Sequence, residues 1–224
     1  RVLFRSAQRA AIAATCNSSA RRRSSVSSCM ARAASQTLYE FVLDFMRTNA
    51  AIYDSTALAA AGHGNNISTT ALSSSQISAL RLAIKNQVDM SSGKRIGLAA
   101  KFLWVPNELE ELAFQITGAD RAVPDSSLAG SAAPAAPNFV RAQGIRPIVV
   151  DYWTDTNNYW LTADNSQTPM LEIGFWGGEE PQLFVQDMPN AGSLFANDAI
   201  TYKIRHVYGG AVLDYRGFAG GIVP

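Results

Sequence analysis

The stretch "AAAGHGNNIS", residues 59–68, sets one of the chain's two histidines between two glycines and follows it with two asparagines. Two readings lead to different molecules. An imidazole exposed at a glycine-flanked turn is a candidate general base. Alternatively, Gly64 supplies a positive φ and Asn65 bonds its own backbone, so that His63, Gly64 and Asn65 form a structural turn. The sequence on either side decides between them.

Toward the C-terminus, Ser73 or Ser74 serves as a cap and Ile77, Leu80, Ile84 and Val88 recur at helical spacing, which predicts a long helix over about 73–90 ended by "SSGK". "KFLWVP" reads as a short buried strand closed by Pro106. A second helix follows, capped by Asn107, with Glu110 at the third position, a stripe of Leu109, Leu112, Ala113 and Ile116, and Gly118 just past its end. Residues 120–138, rich in Ala, Pro, Gly and Ser, predict a mobile surface loop.

Beyond that loop the apolar period changes to two in "RPIVVDYW", "NYWLTA", "MLEIGFW", "QLFVQ" and "AITYKIRHVYGGAVLDYRGF", so the second half is expected to be mostly strand. In the last segment Ile200, Tyr202, Ile204, His206 and Tyr208 point one way and Thr201, Lys203 and Arg205 the other. The pair Gly209 and Gly210 is expected to bend this strand.

Toward the N-terminus, Leu38, Phe41, Val42 and Phe45 make one apolar face, and Thr37 with Glu40 has capping-box spacing, predicting a helix from 37 to about 47. Residues 7–35 show no sustained period and read as weak helix or disorder. The first six, "RVLFRS", match a translated reading frame of a sequencing adapter, so Arg1 to Ser6 are set aside from fold reasoning as an artefact, with the true start expected to be missing.

Composition bounds the function classes. Of the 224 residues 47% are hydrophobic and 17% charged, as in globular proteins, and no apolar run reaches the length of a membrane span. No signal peptide precedes the ordered part, so the chain is expected to be soluble and unexported. Residues 1–36 carry seven arginines and no acid, leaving 12 basic against 18 acidic side chains in the body. A basic arm before an acidic body allows weak, salt-sensitive phosphate contact. Cys16 and Cys29 are too few for a disulfide framework and are expected to be free thiols.

Nothing in the sequence assembles a catalytic centre. There is no G-x-S-x-G elbow, no glycine-rich phosphate loop, and no metal-ligand spacing among Cys16, Cys29, His63 and His206. Glu179 and Glu180 are adjacent, hence on opposite faces of an extended chain, and make a poor acid/base pair. The aromatics Trp153, Tyr159, Trp160, Phe175 and Trp176 read as core or interface rather than as platforms for bases or sugars. No catalytic residue, cofactor or metal is expected.

Taken in order, "NAAIYDSTALAAAGHGNNISTTALS", "SSQISALRLAIKNQVD", "LAAKFLWVPNELEELAFQI", "NNYWLTAD", "LEIGFWGGEEP" and "YKIRHVYGGAVLDYRGF" resemble the major capsid protein of tailed bacteriophages, in its Mu-like major head subunit branch. The resemblance covers about residues 37–224. It implies an α+β fold of the HK-ninety-seven type, with peripheral and axial domains. The basic arm would be 1–36, and the peripheral-domain helices 37–118, including the spine helix at 73–90. Residues 119–197 would be mostly axial, and 198–224 a closing strand returning to the peripheral domain.

The implied role is a non-enzymatic head subunit that assembles with itself into hexameric and pentameric capsomers enclosing DNA. A scaffold or prohead protease would be partners, contact with packaged DNA would be weak and non-specific, and no membrane would be involved. The location would be the virion, with assembly in the bacterial host cytoplasm. In relatives an aromatic or histidine often precedes the HGN turn, where this chain has Ala59, Ala60, Ala61 and Gly62, so looser packing is expected there. The arm and the extended hairpin loop of this fold should lie upstream of Thr37 and are not recognisable in residues 1–36. A hydrolase, as the protease remnant of a fused precursor, and a carbohydrate-binding β module using exposed tryptophans are the alternatives.

Overall fold

A computed structural model describes residues 23–121, 137–190, 192–197 and 200–223. Most of the basic arm and most of the expected loop, residues 122–136, lie outside them. The chain divides into two compact units. One comprises Arg1–Leu43 with Ile173–Ala211, and the other Asp44–Glu172 with Val212–Pro224. The expected boundary near residue 119 is therefore not where the units part, because periodicity identifies strands without saying which sheet they join.

The larger unit is organised around one sheet. It is built from β1 (Asn66–Ser68), β2 (Ala100–Pro106), β3 (Arg146–Val150), β4 (Tyr159–Ala163) and β9 (Phe218–Gly221), in the order β1-β9-β4-β2-β3. β9 runs antiparallel to β4 and parallel to β1, and β2 runs antiparallel to β4 and parallel to β3. Every residue of the two central strands β4 and β9 is buried, so side chains on both of their faces must be accommodated.

The register shows how. Tyr159 sits opposite Gly221 and Trp160 opposite Gly220. A Cβ added at Gly221 would lie 2.3 Å from the Tyr159 ring, and one at Gly220 would lie 2.9 Å from the Ala59 Cβ and 3.1 Å from the Trp160 ring. Both aromatic rings thus occupy space that a side chain on β9 would fill. The Tyr159 hydroxyl donates to the Thr70 carbonyl at 3.0 Å, so its polar end is also paired. Ala59 itself is buried, and its small side chain lets the loop lie against β9, whereas Ala61 and Gly62 are exposed, so the looser packing expected over 59–62 is corrected at Ala59 alone.

Helices flank this sheet. In α2 (Ser74–Asn86) the Ser73 hydroxyl accepts from the Gln76 amide as the cap, and Ile77, Leu80, Ala83 and Ile84 form the buried stripe. α2 ends four residues before the predicted Met90, because Gln87 leaves the helical conformation and Val88 pairs with Arg95 in a short bridge. Asn107 does not cap the next helix. It begins a 3-10 turn, Asn107–Leu109, that leads into α3 (Glu110–Gly118).

Where the expected loop leaves and re-enters the described chain, both ends are fixed. Asn138 is buried; its Nδ2 donates to the carbonyls of Ile116 at 2.6 Å and Ala119 at 3.0 Å, and its Oδ1 accepts from the amides of Val140 and Arg141. One side chain thereby closes the end of α3 and opens α4 (Phe139–Ala142). Arg141 and Asp120 form an ion pair beside it.

The smaller unit holds most of α1 (Arg23–Arg47), the antiparallel pair β6 (Gln182–Gln186) and β7 (Thr201–Arg205), the short α5 (Gly192–Asn197), and the pairing of β5 (Leu171–Phe175) with β8 (Tyr208–Val212). α1 begins at least fourteen residues before the predicted start at Thr37. Thr37 lies inside it and donates its hydroxyl to the Ala33 carbonyl, a mid-helix back-bond rather than a cap. Met30 and Ala34, four positions apart, carry the stripe of Leu38, Phe41 and Phe45 upstream, but only through one methionine and a small alanine amid serine and arginine, so periodicity misses this segment. Met30 and Ala34 on α1 pack against Ile204 and Tyr202 of β7, and Phe41 lies 5.1 Å from Tyr208. Cys29 is disulfide-bonded, which corrects the free-thiol expectation for that residue; Cys16 lies outside the described residues.

The expected strand bend falls elsewhere. The chain leaves the ladder at His206 and Val207, whereas Gly209 and Gly210 lie within β8, and a Cβ at Gly209 meets nothing within 4 Å. Within the strands of the larger unit's sheet, the glycines under steric demand are Gly220 and Gly221. Gly221→Ala is expected to lower stability by about 2 kcal/mol, in the range for overpacked cores, while Gly209→Ala stays within about 0.5 kcal/mol. Urea unfolding followed by tryptophan fluorescence distinguishes them, and equal midpoints for the two variants would contradict this account.

Candidate functional site

The HGN turn is the densest polar cluster in the larger unit. Ala61–His63 forms a 3-10 turn, and Gly64 ends it at a φ of 63°, in the left-handed region that glycine adopts without strain. Asn65 is fully buried; its Oδ1 accepts from the Ala60 amide at 3.0 Å, and its Nδ2 donates to the Leu58 carbonyl at 2.8 Å. Asn49 clamps the preceding residue from outside, donating to the Ala59 carbonyl and accepting from the Ala59 amide at 2.7 Å.

His63 is buried and both ring nitrogens face oxygen acceptors. Its Nε2 lies 2.7 Å from the Asp54 carboxylate and its Nδ1 3.2 Å from the Leu58 carbonyl. The ring stacks on Tyr215 with centroids 3.9 Å apart. The ring is buried and both nitrogens are turned toward oxygens of the protein itself, so the geometry is that of a cross-link between Asp54 and the Leu58 backbone. Two backbone bonds carry the cluster outward: the Asn65 carbonyl accepts from the Gly220 amide of β9, and the His63 carbonyl accepts from the Gln87 side chain at the end of α2.

Tyr215 is held in turn by its neighbours. Arg216 binds the Asp214 carboxylate at 2.8–3.0 Å through Nε and Nη2, and Thr168 donates to it at 3.2 Å. Burial pushes the Asp214 carboxyl up, but the hydrogen bonds and charge of Arg216 outweigh it and hold the group below the usual range. At Asp54 burial likewise acts upward and the His63 and Thr56 donors win. Arg216 is raised by the same pairing.

His206, in the smaller unit, is also buried. Its Nε2 contacts the Glu179 carbonyl at 3.0 Å, its Nδ1 has no hydrogen-bond partner, and it stacks on Phe175. The two histidines belong to different units. Glu179 and Glu180 occupy an exposed turn; Trp153, Tyr159 and Trp160 are buried, and Trp176 is 76% exposed. Among the described residues no group of three or more His, Cys, Asp or Glu side chains could hold a metal ion.

Sequence reasoning missed Asn49, Asp54, Gln87 and Tyr215, which lie up to 150 positions from the turn they support. The local signal for Asn49 and Asp54 was the concentration of Asn and Asp in residues 49–66; Gln87 and Tyr215 had none.

A second class of feature is the exposed apolar surface. In the smaller unit Leu183, Phe184, Val185, Met188 and Phe195 are all exposed, with Phe195 at 76%, and every residue of β6 is accessible. Such surface around a small core is what a partner is expected to cover.

The carboxylates set the pH response. Asp54 and Asp214 have folded values below their unfolded ones, so the stability they contribute is complete above about pH 4 and is lost as pH falls through the folded values. Stability is therefore expected to be level from pH 7 to 5 and to drop below 4. Asp214→Asn should remove about 1–2 kcal/mol at pH 7 and flatten the acid limb; thermal unfolding across pH reads both, and an unchanged acid limb would count against the Asp214 pairing.

No curated protein matches the chain. Among solved structures, it is similar to a chain of Mycobacterium phage Ogopogo, with 14% identity, a TM-score of 0.38, and coverage of 70% of this chain and 53% of that one. It is also similar to a chain of Gordonia phage Cozz, with 14% identity, a TM-score of 0.45, and coverage of 90% and 64%. The chain thus spans between about half and two thirds of the length of these structures. A family model described as phage capsid protein matches residues 28–220, nearly all of the sequence, and the chain belongs to that family.

Proposed function

We propose that this chain is a structural subunit of a bacteriophage head, assembling with copies of itself into pentameric and hexameric capsomers of a shell that encloses DNA. The observation that carries the reading is the family match over residues 28–220. Two structural features support it. The polar cluster around His63 spends its hydrogen bonds on holding segments together, and apolar side chains along β6 and α5 stand in water in the isolated chain. Subunits of a shell obtain part of their stability from neighbours, so an incomplete core in the free chain is consistent with this role.

In this reading the fold is of the HK-ninety-seven type and the Mu-like branch. The subunit has a peripheral domain, with α2 in its spine, and an axial domain. The subunit is not an enzyme; it resides in the virion after assembly in the host cytoplasm, and a scaffold or prohead protease acts on its precursor shell. The acidic body limits adhesion to packaged DNA, and the arginine-rich first 36 residues attract it only weakly. Among the described residues no helix is long and apolar enough to cross a membrane.

Sedimentation velocity combined with electron microscopy tests the reading. Rings or shells should appear as concentration rises through the micromolar range, while a chain that stays monomeric and turns over a substrate would overturn it.

A further inference from the structure

The segment that follows α2 is a tight hairpin. The Asp89 amide donates to the Lys94 carbonyl, the Gly93 amide to the Asp89 carbonyl, and the Ile96 amide to the Gln87 carbonyl, at 2.8–3.1 Å. The Asp89 carboxylate accepts from the Ser91 hydroxyl and from the amide and hydroxyl of Ser92, which holds it down to about 2, and Gly93 turns the tip at a φ of 65°. At its base the buried Gln87 is tied to the His63 carbonyl.

All this wiring holds apolar groups out in water. Met90 at the tip is 83% exposed, Val88 and Ile96 are exposed beside it, and Lys94 and Arg95 form no ion pair among the described residues. A hydrogen-bonded loop that presents a methionine on one arm and two unpaired cations on the other is preorganised for a partner, because little backbone freedom remains to be lost on binding.

The same unit carries a surface of opposite character. On α3 the buried residues are Ala113, Ile116 and Thr117, whereas Glu110, Glu111, Phe114, Gln115 and Gly118, at spacings of one, three and four, are all exposed. That face offers an exposed aromatic ring with two carboxylates next to it that form no ion pair among the described residues.

We infer that the Met90 hairpin of one copy docks on the outward face of α3 of a second copy, Met90 against Phe114 and Lys94 with Arg95 against Glu110 and Glu111. The two surfaces differ, so the contact is heterologous. Contacts of this kind propagate head to tail and close into rings when the rotation allows. The inference rests on the assembly reading above and names one interface within it.

A charge swap tests the pairing. In one variant Glu110→Lys and Glu111→Lys make both surfaces basic; in the other Lys94→Glu and Arg95→Glu make both acidic. Each alone should need at least about ten-fold more protein than the unmodified chain to form the same assemblies, because like charges now meet. Mixed in equal amounts, they should recover assembly near the original concentration, since each supplies the surface complementary to the other, and recovery also demonstrates that both are folded.

The pairing is overturned if either variant assembles alone as the unmodified chain does, or if the mixture stays dissociated. It is overturned equally if the Lys94→Glu, Arg95→Glu chain assembles normally but loses affinity for duplex DNA, which would make the hairpin a nucleic-acid contact. An unmodified chain that never assembles removes the capsid-subunit reading itself, and the pairing with it.

Discussion

The close approach of β4 to β9 is the constraint on which the larger unit depends. Two of the bulkiest side chains in the core, Tyr159 and Trp160, face glycines across the strand pair and fill the volume that side chains at Gly221 and Gly220 would occupy. Because β9 also pairs with β1, any displacement of β9 is passed to the turn that precedes β1. The antiparallel partner β2 is held on the far side of β4 by apolar packing and by the Trp104 indole, which donates to the Thr162 hydroxyl at 2.9 Å. The sheet is thus assembled by side-chain volume at its centre and by polar clamps at its margins.

The HGN turn is the most elaborate of these clamps. Gly64 and Asn65 solve a local backbone problem, but the cluster acts over long range, since His63 touches Asp54 and Tyr215 while Asn65 is bonded to β9 and Gln87 returns to the turn from the end of α2. Buried polar networks of this kind favour a single arrangement because each unpaired member would be costly in a low-dielectric interior. A buried imidazole engaged at both nitrogens serves that purpose. Asn138 does similar work at another margin, joining the end of α3 to the start of α4 with four hydrogen bonds from one side chain.

What was legible in the sequence followed from periodicity and local turn chemistry. The strand at "KFLWVP", the apolar stripe and serine cap of α2, and the alternation of exposed and buried residues along Thr201–Arg205 all reflect contacts within a few positions. The start of α1 was hidden because the stripe of Leu38, Phe41 and Phe45 continues upstream only through the small Ala34 and Met30, amid serine and arginine. The wrong glycines attracted notice for a related reason. Gly209-Gly210 interrupts a conspicuous alternating run, whereas the need for Gly220 and Gly221 arises from residues some sixty positions earlier, and only the register of β4 against β9 reveals it. Of the cluster around His63, the turn itself was readable, but Asp54, Gln87 and Tyr215 were not, since each contributes through distant contacts.

The two units differ in how they are stabilised, and that difference bears on assembly. In the larger unit Leu58, Ile77, Leu103, Trp160 and Ala219 are all fully buried. In the smaller unit the cluster centred on α1 contains three buried residues, Met30, Ala34 and Ile204, with Tyr202 beside them, while Leu183 and Val185 on the facing strand remain exposed. A two-stranded ribbon is marginal alone in water, so the β6–β7 pair has most to gain from additional burial. A shell built from such subunits needs no new fold at assembly: the well-cored unit sets the geometry, and the under-cored one gains stability as neighbouring copies exclude water from it. The folding of that unit and the closure of the shell would then be coupled equilibria, each drawing on the same apolar surface.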